Sequence, residues 1–439
     1  MASEQIKGRP TTIKGEITLP GDKSISHRAA IFGSLADGTT KVKGFLKSED
    51  TFSTLKAMQM LGAETSWEDD ILYINGCGLH GLKEPGDIID AGNSGTTSRL
   101  LMGLLSAQSF SSSITGDKYL RKRPMARVIK PLSLMGANIE AVDDSRLPVT
   151  IIGSKLTGIS YKMPVASAQV KSSILLAGLY AQGETEVIEP MHTRDHTEKM
   201  MQYMGIDISV KGKSIKISRS DGFNAADMYV PSDFSTAAFF IVAALINHGS
   251  EILIKNVGVN PYRTGALEIL LQMGADIELS NKRELNGEPV TDIIAKSSSL
   301  RGIEIGGDMI PKAIDELPII AVAACFAEGT TTIKEARELR VKETDRIETT
   351  VTELSKLGAN IKETEDGMII EGADELNGAK CSSLGDHRIA MSTAIAATRA
   401  KGNTIIEDSD AVAVSFPEFF EMLRQIRKGI NEKTSDNSN

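Results

Sequence analysis

Apolar positions along the chain fall into two alternating helical patterns. In the first, polar residues open a stretch of small apolar ones, hydrophobic on nearly every side. A Gly or Ser then closes it before a Thr- or Glu-containing strand. Six copies run over 24–38, 95–113, 167–183, 233–249, 315–329 and 386–402. A helix apolar all round is a buried helix. In the second pattern the segments are amphipathic and end on a recurring glycine phrase: Met60-Leu61-Gly62-Ala63, Leu134-Met135-Gly136-Ala137, Tyr203-Met204-Gly205-Ile206, Gln272-Met273-Gly274-Ala275 and Lys356-Leu357-Gly358-Ala359. These glycines lie 74, 69, 69 and 84 residues apart. Each stands where a helix takes a left-handed C-terminal residue, and a short strand such as Asn138-Ile139-Glu140 or Asp276-Ile277-Glu278 follows. Phe416 to Ile426 is a sixth amphipathic copy without the glycine phrase.

The unit is therefore buried helix, strand, amphipathic helix, strand, repeated six times. Solenoid repeats usually span about 20–45 residues and cannot stand alone. Units of this greater length with fully buried helices predict two compact α/β domains of three repeats each. The midpoint falls near Tyr229-Val230-Pro231, and Thr12 to Leu19 reads as a strand that precedes the first unit and pairs with the C-terminal half. The expected domains are residues 1–20 with 231–439, holding repeats 4–6, and residues 21–230, holding repeats 1–3. The tail after Lys428 is polar and is expected to fray.

Composition adds exclusions. The 439 residues carry 49 Lys and Arg against 58 Asp and Glu, a formal charge of −9, which disfavours a general nucleic-acid or anionic-membrane binder. Any anion site must be a local basic pocket made against the global sign. Cys77, Cys325 and Cys381 are odd in number and lack C-x-x-C spacing, which argues against a disulfide framework or a cysteine zinc site and for a reducing cytoplasm. The N-terminus shows no apolar signal region. The longest apolar run, around Ala237 to Ile246, falls well short of the roughly 20 residues of a membrane span.

Chemistry concentrates at the starts of the buried helices: Lys23-Ser24, Gly95-Thr96, Ser167-Ala168-Gln169, Asp233-Phe234-Ser235, Asp315-Glu316 and Asp386-His387-Arg388. Helices packed in parallel aim their N-terminal N–H groups at one surface, each favouring an anion by roughly 0.3–1 kcal/mol. Plain N-capping explains Ser, Asp and Thr there. It does not explain Lys23 with Arg28, or His387 with Arg388, beside apolar helices. Further cations cluster in equivalent places at the starts of the amphipathic helices. Arg121-Lys122-Arg123 precedes a Pro124 expected in a first helical turn. Arg194 is expected to open the third amphipathic helix, and Lys342 and Arg346 to stand one turn apart on the fifth, with Glu343 and Asp345 between them.

Three patterns mislead. Gly76-Cys77-Gly78-Leu79-His80-Gly81 matches a dinucleotide fingerprint but runs into Pro85 and Gly86 and reads as loop. His192 and His196 have zinc spacing but no third ligand, and Arg194 between them repels a cation. Cys325 sits in an apolar helix and reads as core.

Longer motifs carry a resemblance. Leu19-Pro20-Gly21-Asp22-Lys23-Ser24-Ile25-Ser26-His27-Arg28, Gly92-Asn93-Ser94-Gly95-Thr96, Arg123-Pro124-Met125, Arg340-Val341-Lys342-Glu343-Thr344-Asp345-Arg346 and Gly385-Asp386-His387-Arg388-Ile389-Ala390 are similar, in order and over essentially the whole chain, to the signatures of the EPSP synthase (3-phosphoshikimate 1-carboxyvinyltransferase) family. The resemblance implies a fold of two domains, each of three β-α-β-α-β-β repeats around parallel buried helices, an inside-out α/β barrel with the active site in the interdomain cleft. It implies transfer of the enolpyruvyl group of phosphoenolpyruvate to the 5-hydroxyl of shikimate 3-phosphate by addition and elimination, releasing phosphate. This is a step of the shikimate pathway to chorismate and the aromatic amino acids, run by a cytoplasmic monomer without metal or organic cofactor.

Residue roles follow from the same resemblance. Lys23, Ser24 and Arg28, with Ser167, Ala168, Gln169 and Arg194, are expected to hold shikimate 3-phosphate. Gly95, Arg123, Arg346 and Arg388, with Lys23 and Gln169, are expected to hold phosphoenolpyruvate, where bidentate guanidinium suits phosphate and carboxylate. Asp315 is expected to bind the shikimate hydroxyls and act as base toward the 5-hydroxyl, and Lys342 is expected to contact the same substrate. Glu343, with Lys23, is the candidate for proton transfer at the methylene carbon, and His387 is a possible further participant. Hinge closure is expected near Pro20-Gly21 and Tyr229-Pro231. Glycine at position 95 implies sensitivity to the inhibitor glyphosate.

The chain departs from the better-known pattern at Val414, where many members carry Lys, at Glu338, where many carry Asn, and at Ser167-Ala168-Gln169, where Ser-Ser-Gln is commoner. The related UDP-N-acetylglucosamine 1-carboxyvinyltransferases typically have Asn after the first lysine and a cysteine before the Arg-Pro. Here Ser24 follows Lys23 and the loop 117–122 has no cysteine. A non-catalytic anion-binding repeat protein would not need Asp315, Glu343 and His387 among its cations.

Overall fold

The computed structural model describes residues 2–8 and 11–429, so the polar tail from residue 430 on lies outside the described residues. Its α/β chain forms two compact units. One comprises residues up to Leu19, Ser232–Arg283 and the chain from Pro289 on. The other comprises Pro20–Pro231 together with the turn Glu284–Glu288. Each has its own apolar core. Among the described residues no helix is long and apolar enough to cross a membrane.

Thirteen α-helices are described. In the unit built on Pro20–Pro231 they are α1 (Lys23–Leu35), α2 (Glu49–Met60), α3 (Gly95–Ser106), α4 (Ala126–Leu134), α5 (Ala168–Gly178) and α6 (His196–Tyr203). In the other unit they are α7 (Phe234–Ile246), α8 (Gly265–Gln272), the short α9 (Met309–Ala313), α10 (Leu317–Cys325), α11 (Arg346–Lys356), α12 (His387–Ala397) and α13 (Phe419–Ile426). The six apolar patterns are α1, α3, α5, α7, α10 and α12. Every residue of α7, α10 and α12 is buried. Gly103 lets α3 meet α5, because a side chain there would run into the Ser173 carbonyl. The amphipathic patterns are α2, α4, α6, α8, α11 and α13. Gly62, Gly136, Gly205, Gly274 and Gly358 follow the first five with φ between 77° and 113°, the left-handed stop their phrase requires.

Among the described residues, five of the six sheets share one pairing scheme. A short strand lies parallel to the strand after the buried helix. That strand pairs antiparallel with the second strand of a hairpin, whose first strand forms the edge. Ile89–Asp90, Ser111–Thr115, Arg146–Ile152 and Asn138–Val142 are one example. Arg146–Ile152 alternates exposed and buried residues, as a sheet with one face on the core demands. Thr11–Thr18 supplies the parallel strand of the fourth repeat by pairing with Glu251–Gly258.

The sixth repeat is completed from the other end of the chain. Ser3–Gly8 pairs antiparallel with Ala400–Glu407, in the position a hairpin strand holds elsewhere. After α13 the described chain continues as Arg427–Gly429, antiparallel to Thr11–Thr18. Among the described residues no hairpin follows the sixth amphipathic helix, the one copy without the glycine phrase. Instead α13 is fixed by rings, with Phe419 packed on Phe239, Phe240, Phe416 and Phe420.

Three local expectations need correction. Pro124 is not in a helical turn. Leu120–Lys122 is a 3-10 turn, Arg123 ends it, and α4 starts at Ala126. Arg194 lies two residues ahead of α6. Lys342 and Arg346 are not one turn apart on a helix, because Arg337–Val341 is a 3-10 turn and Arg346 is the first residue of α11. The cause is Arg340, which donates to the carbonyls of Thr364 and Glu365 and to Asp345, the cap of α11. The glycine-rich stretch after Cys77 is loop, and Cys325 is buried at the end of α10.

Candidate active-site clusters

In the unit built on Pro20–Pro231, the starts of α1, α3 and α5 are capped by Asp22, Ser94 and Ser167, whose side chains accept backbone N–H groups. Lys23 and Ser24 form the first turn of α1. The Lys23 ammonium lies 3.0 Å from Asp50 in the first turn of α2. Arg28, one turn on, is buried and donates to Thr197 (2.6 Å), Ser172 (2.8 Å) and the Ser24 carbonyl (2.9 Å). Burial lowers its pKa to about 10, against the pull of Glu198 and Asp22, so it stays cationic at neutral pH.

Gly95 opens α3. A β-carbon there would meet Arg99 Nη1 at 2.7 Å and Arg123 Nη1 at 3.1 Å. Arg121 and Lys122 are exposed, whereas Arg123 is half-buried. Arg99 donates to Gln169 (2.7 Å), and Gln169 donates to Thr96 (3.0 Å), tying the starts of α3 and α5 together. Ser167, Ala168 and Gln169 are half-buried there, as is Arg194 on the loop before α6. Lys171 pins that loop. It is fully buried in α5, 3.1 Å from Glu189 and 2.6 Å from Glu198, and Thr193 donates to Glu189. Burial raises the Glu198 carboxyl although Lys171 opposes it. His196 pairs with Glu288 at 2.6 Å, and among the described residues no group of His, Cys, Asp and Glu comes together as a metal would need.

The other unit gathers acids with its cations. Arg346, 1% exposed, contacts Glu343 (2.5 Å), both oxygens of Asp386 (2.8 and 3.2 Å) and Asp315 (3.4 Å). Burial alone would lower its pKa, but Asp386, Glu343 and Asp315 hold it above the ordinary value. Lys342 lies 3.6 Å from Asp315, and burial lowers its pKa while that carboxylate opposes. Asp386, fully buried, also caps α12 by accepting from Arg388 N. His387, the first residue of α12, is buried. The Arg388 guanidinium donates through Nη1 to the Asp315 carbonyl at 2.8 Å, its one hydrogen bond among the described residues. Its Nε and Nη2 edge keeps the parallel geometry that grips a carboxylate. Val414 is half-buried at the end of a 3-10 turn, and Glu338 lies close enough to act on Lys342.

Every sequence-predicted residue thus falls into one of two clusters. The first joins Lys23, Ser24, Arg28, Gly95, Arg123, Ser167, Ala168, Gln169 and Arg194. The second joins Asp315, Lys342, Glu343, Arg346, His387 and Arg388. Sequence reasoning missed Asp50, Arg99, Lys171, Glu316 and Asp386 as partners. The available signals were a lone charge in an apolar helix for Arg99 and Lys171, and an acid in a first helical turn for Asp50.

The family model for EPSP synthase (3-phosphoshikimate 1-carboxyvinyltransferase) matches residues 8–423. A 3-phosphoshikimate 1-carboxyvinyltransferase of Geotalea daltonii is 53% identical over 416 residues, 94% of this chain and 97% of the relative. One from Thermodesulfovibrio yellowstonii is 53% identical over 421 residues, 95% and 98% of the two chains. The EPSP synthase of Acinetobacter baumannii superposes with a TM-score of 0.86 at 46% identity, covering 97% of this chain and 98% of its own. With its sixfold repeat, its signature motifs and these relatives in agreement, the chain belongs to the EPSP synthase family.

Proposed function

We propose that this chain, acting as a cytoplasmic monomer, transfers the enolpyruvyl group of phosphoenolpyruvate to the 5-hydroxyl of shikimate 3-phosphate. Lys23, Ser24, Arg28, Ser167, Gln169 and Arg194 offer cations, hydroxyls and helix N-termini to the phosphorylated acceptor. Arg388, Arg346 and Arg123 take the donor's anionic groups. The observation that carries the mechanism is that Asp315 and Glu343 both contact Arg346. A donor carboxylate arriving at Arg346 competes with them, and the 3.4 Å contact to Asp315 is the longer.

Asp315, so released, takes the 5-hydroxyl proton as that oxygen bonds to C2 of the donor. Glu343 or Lys23 delivers a proton to C3, giving a tetrahedral intermediate. Loss of a C3 proton then re-forms the double bond as the C2–O bond to phosphate breaks, and cations stabilise the leaving phosphate. Asp315→Asn tests the base: turnover should fall by at least about a hundredfold, while acceptor binding by calorimetry persists. Turnover close to that of the unaltered protein would refute the assignment.

A further inference from the structure

Behind Arg388 lies a buried polar chain that the reaction above does not use. Arg263 Nη2 donates to Ser235 Oγ at 2.9 Å. Guanidinium has no acceptor, so the hydroxyl hydrogen of Ser235 is left to point elsewhere. It points to Glu316 Oε1 in a short hydrogen bond. The same Oε1 lies 3.6 Å from Arg388 Nη1, too long for a hydrogen bond but close for opposite charges. Glu316 is 0% exposed, Arg263 3% and Ser235 4%. Donor direction along the chain is therefore fixed: cation to hydroxyl, hydroxyl to carboxylate, carboxylate facing a second cation.

The arrangement differs from plain capping. Glu316 precedes α10 without a side-chain capping bond, and among the described residues its Oε2 has no hydrogen-bond partner. Its charge is balanced by Arg388, while its position is set by Ser235 on α7. Arg388 Nη1 is thereby held from two directions, by Glu316 and by the Asp315 carbonyl. Its Nε and Nη2 edge is aimed with little rotational freedom.

We propose that Ser235 and Glu316 are positioning residues that act through Arg388 to fix the edge receiving the donor's anion. This rests on the reading of Arg388 as a phosphoenolpyruvate ligand. The test is steady-state phosphate release with each substrate varied, on Ser235→Ala, Glu316→Gln, their double variant and Arg388→Lys. Ser235→Ala should raise KM for phosphoenolpyruvate about three- to tenfold and Glu316→Gln about tenfold or more. In both, kcat and KM for shikimate 3-phosphate should move less than about twofold. The double variant should be no worse than Glu316→Gln, since the two act as one chain. Should Glu316→Gln fail to fold, Ser235→Ala decides alone. An unchanged KM for phosphoenolpyruvate in these variants, with Arg388→Lys raising it, overturns the positioning role. Equal changes for both substrates mark a merely structural role and overturn it too. If Arg388→Lys itself leaves that KM unchanged, it is the reading of Arg388 that fails.

Discussion

Gly95→Ala is the smallest perturbation with a calculable consequence. The added carbon would lie 2.7 Å from Arg99 Nη1, 3.1 Å from Arg123 Nη1 and 3.2 Å from Arg123 Cζ, where ordinary contact begins near 3.4 Å. Arg99 must retreat by about 0.7 Å and Arg123 by about 0.3 Å. The retreat of Arg99 stretches its 2.7 Å bond to Gln169 toward the limit of a hydrogen bond. Losing one such bond in the pocket proposed for the donor costs about 1 kcal/mol, or about fivefold in affinity. KM for phosphoenolpyruvate should therefore rise about fivefold at saturating shikimate 3-phosphate, with kcat within about twofold. The inhibition constant of glyphosate should rise with it. In an Arg99→Ala background the methyl loses its closest contact, and the effect should shrink. A KM and a glyphosate constant both unchanged by Gly95→Ala would refute the steric reasoning.

Lys171→Met leaves Glu189 and Glu198 buried without their cation and should destabilise the protein by about 3–5 kcal/mol in urea unfolding; a loss below about 1 kcal/mol would contradict the pairing. Glu198→Gln reads the same triad through pH. The folded carboxyl titrates above its ordinary 4.5, so the stability it contributes is complete below that value and is lost as pH rises through the raised one. Gln mimics the protonated form, so the melting temperature of the variant should gain on the unaltered protein as pH climbs above 4.5. A difference flat across that window would show that the carboxyl is not raised.

The sequence made the repeat legible because helix stops are local. Each glycine phrase needs only its own φ, and each buried helix declares itself by lacking a polar face. What stayed hidden depends on residues far apart in the chain. Lys23 meets Asp50 across 27 positions and Arg99 meets Gln169 across 70. The strand Ser3–Gly8 is mostly polar or exposed and is defined by a partner at the other end of the chain. Lys342 and Arg346 have helical spacing, yet Arg340 draws the chain before α11 into a 3-10 turn through carbonyls that no local pattern reveals. The candidate ligands were readable as types at helix starts. Their pairing was not: that Arg346 would bind Asp315, Glu343 and Asp386 at once follows from where three helices begin.

The measurement that bears most directly on the function is phosphate release by the purified protein given phosphoenolpyruvate with shikimate 3-phosphate and, separately, with UDP-N-acetylglucosamine. Release with the shikimate ester alone, abolished by Asp315→Ala, is the expected result. Release with the nucleotide sugar, or with neither acceptor from a folded protein, would contradict it.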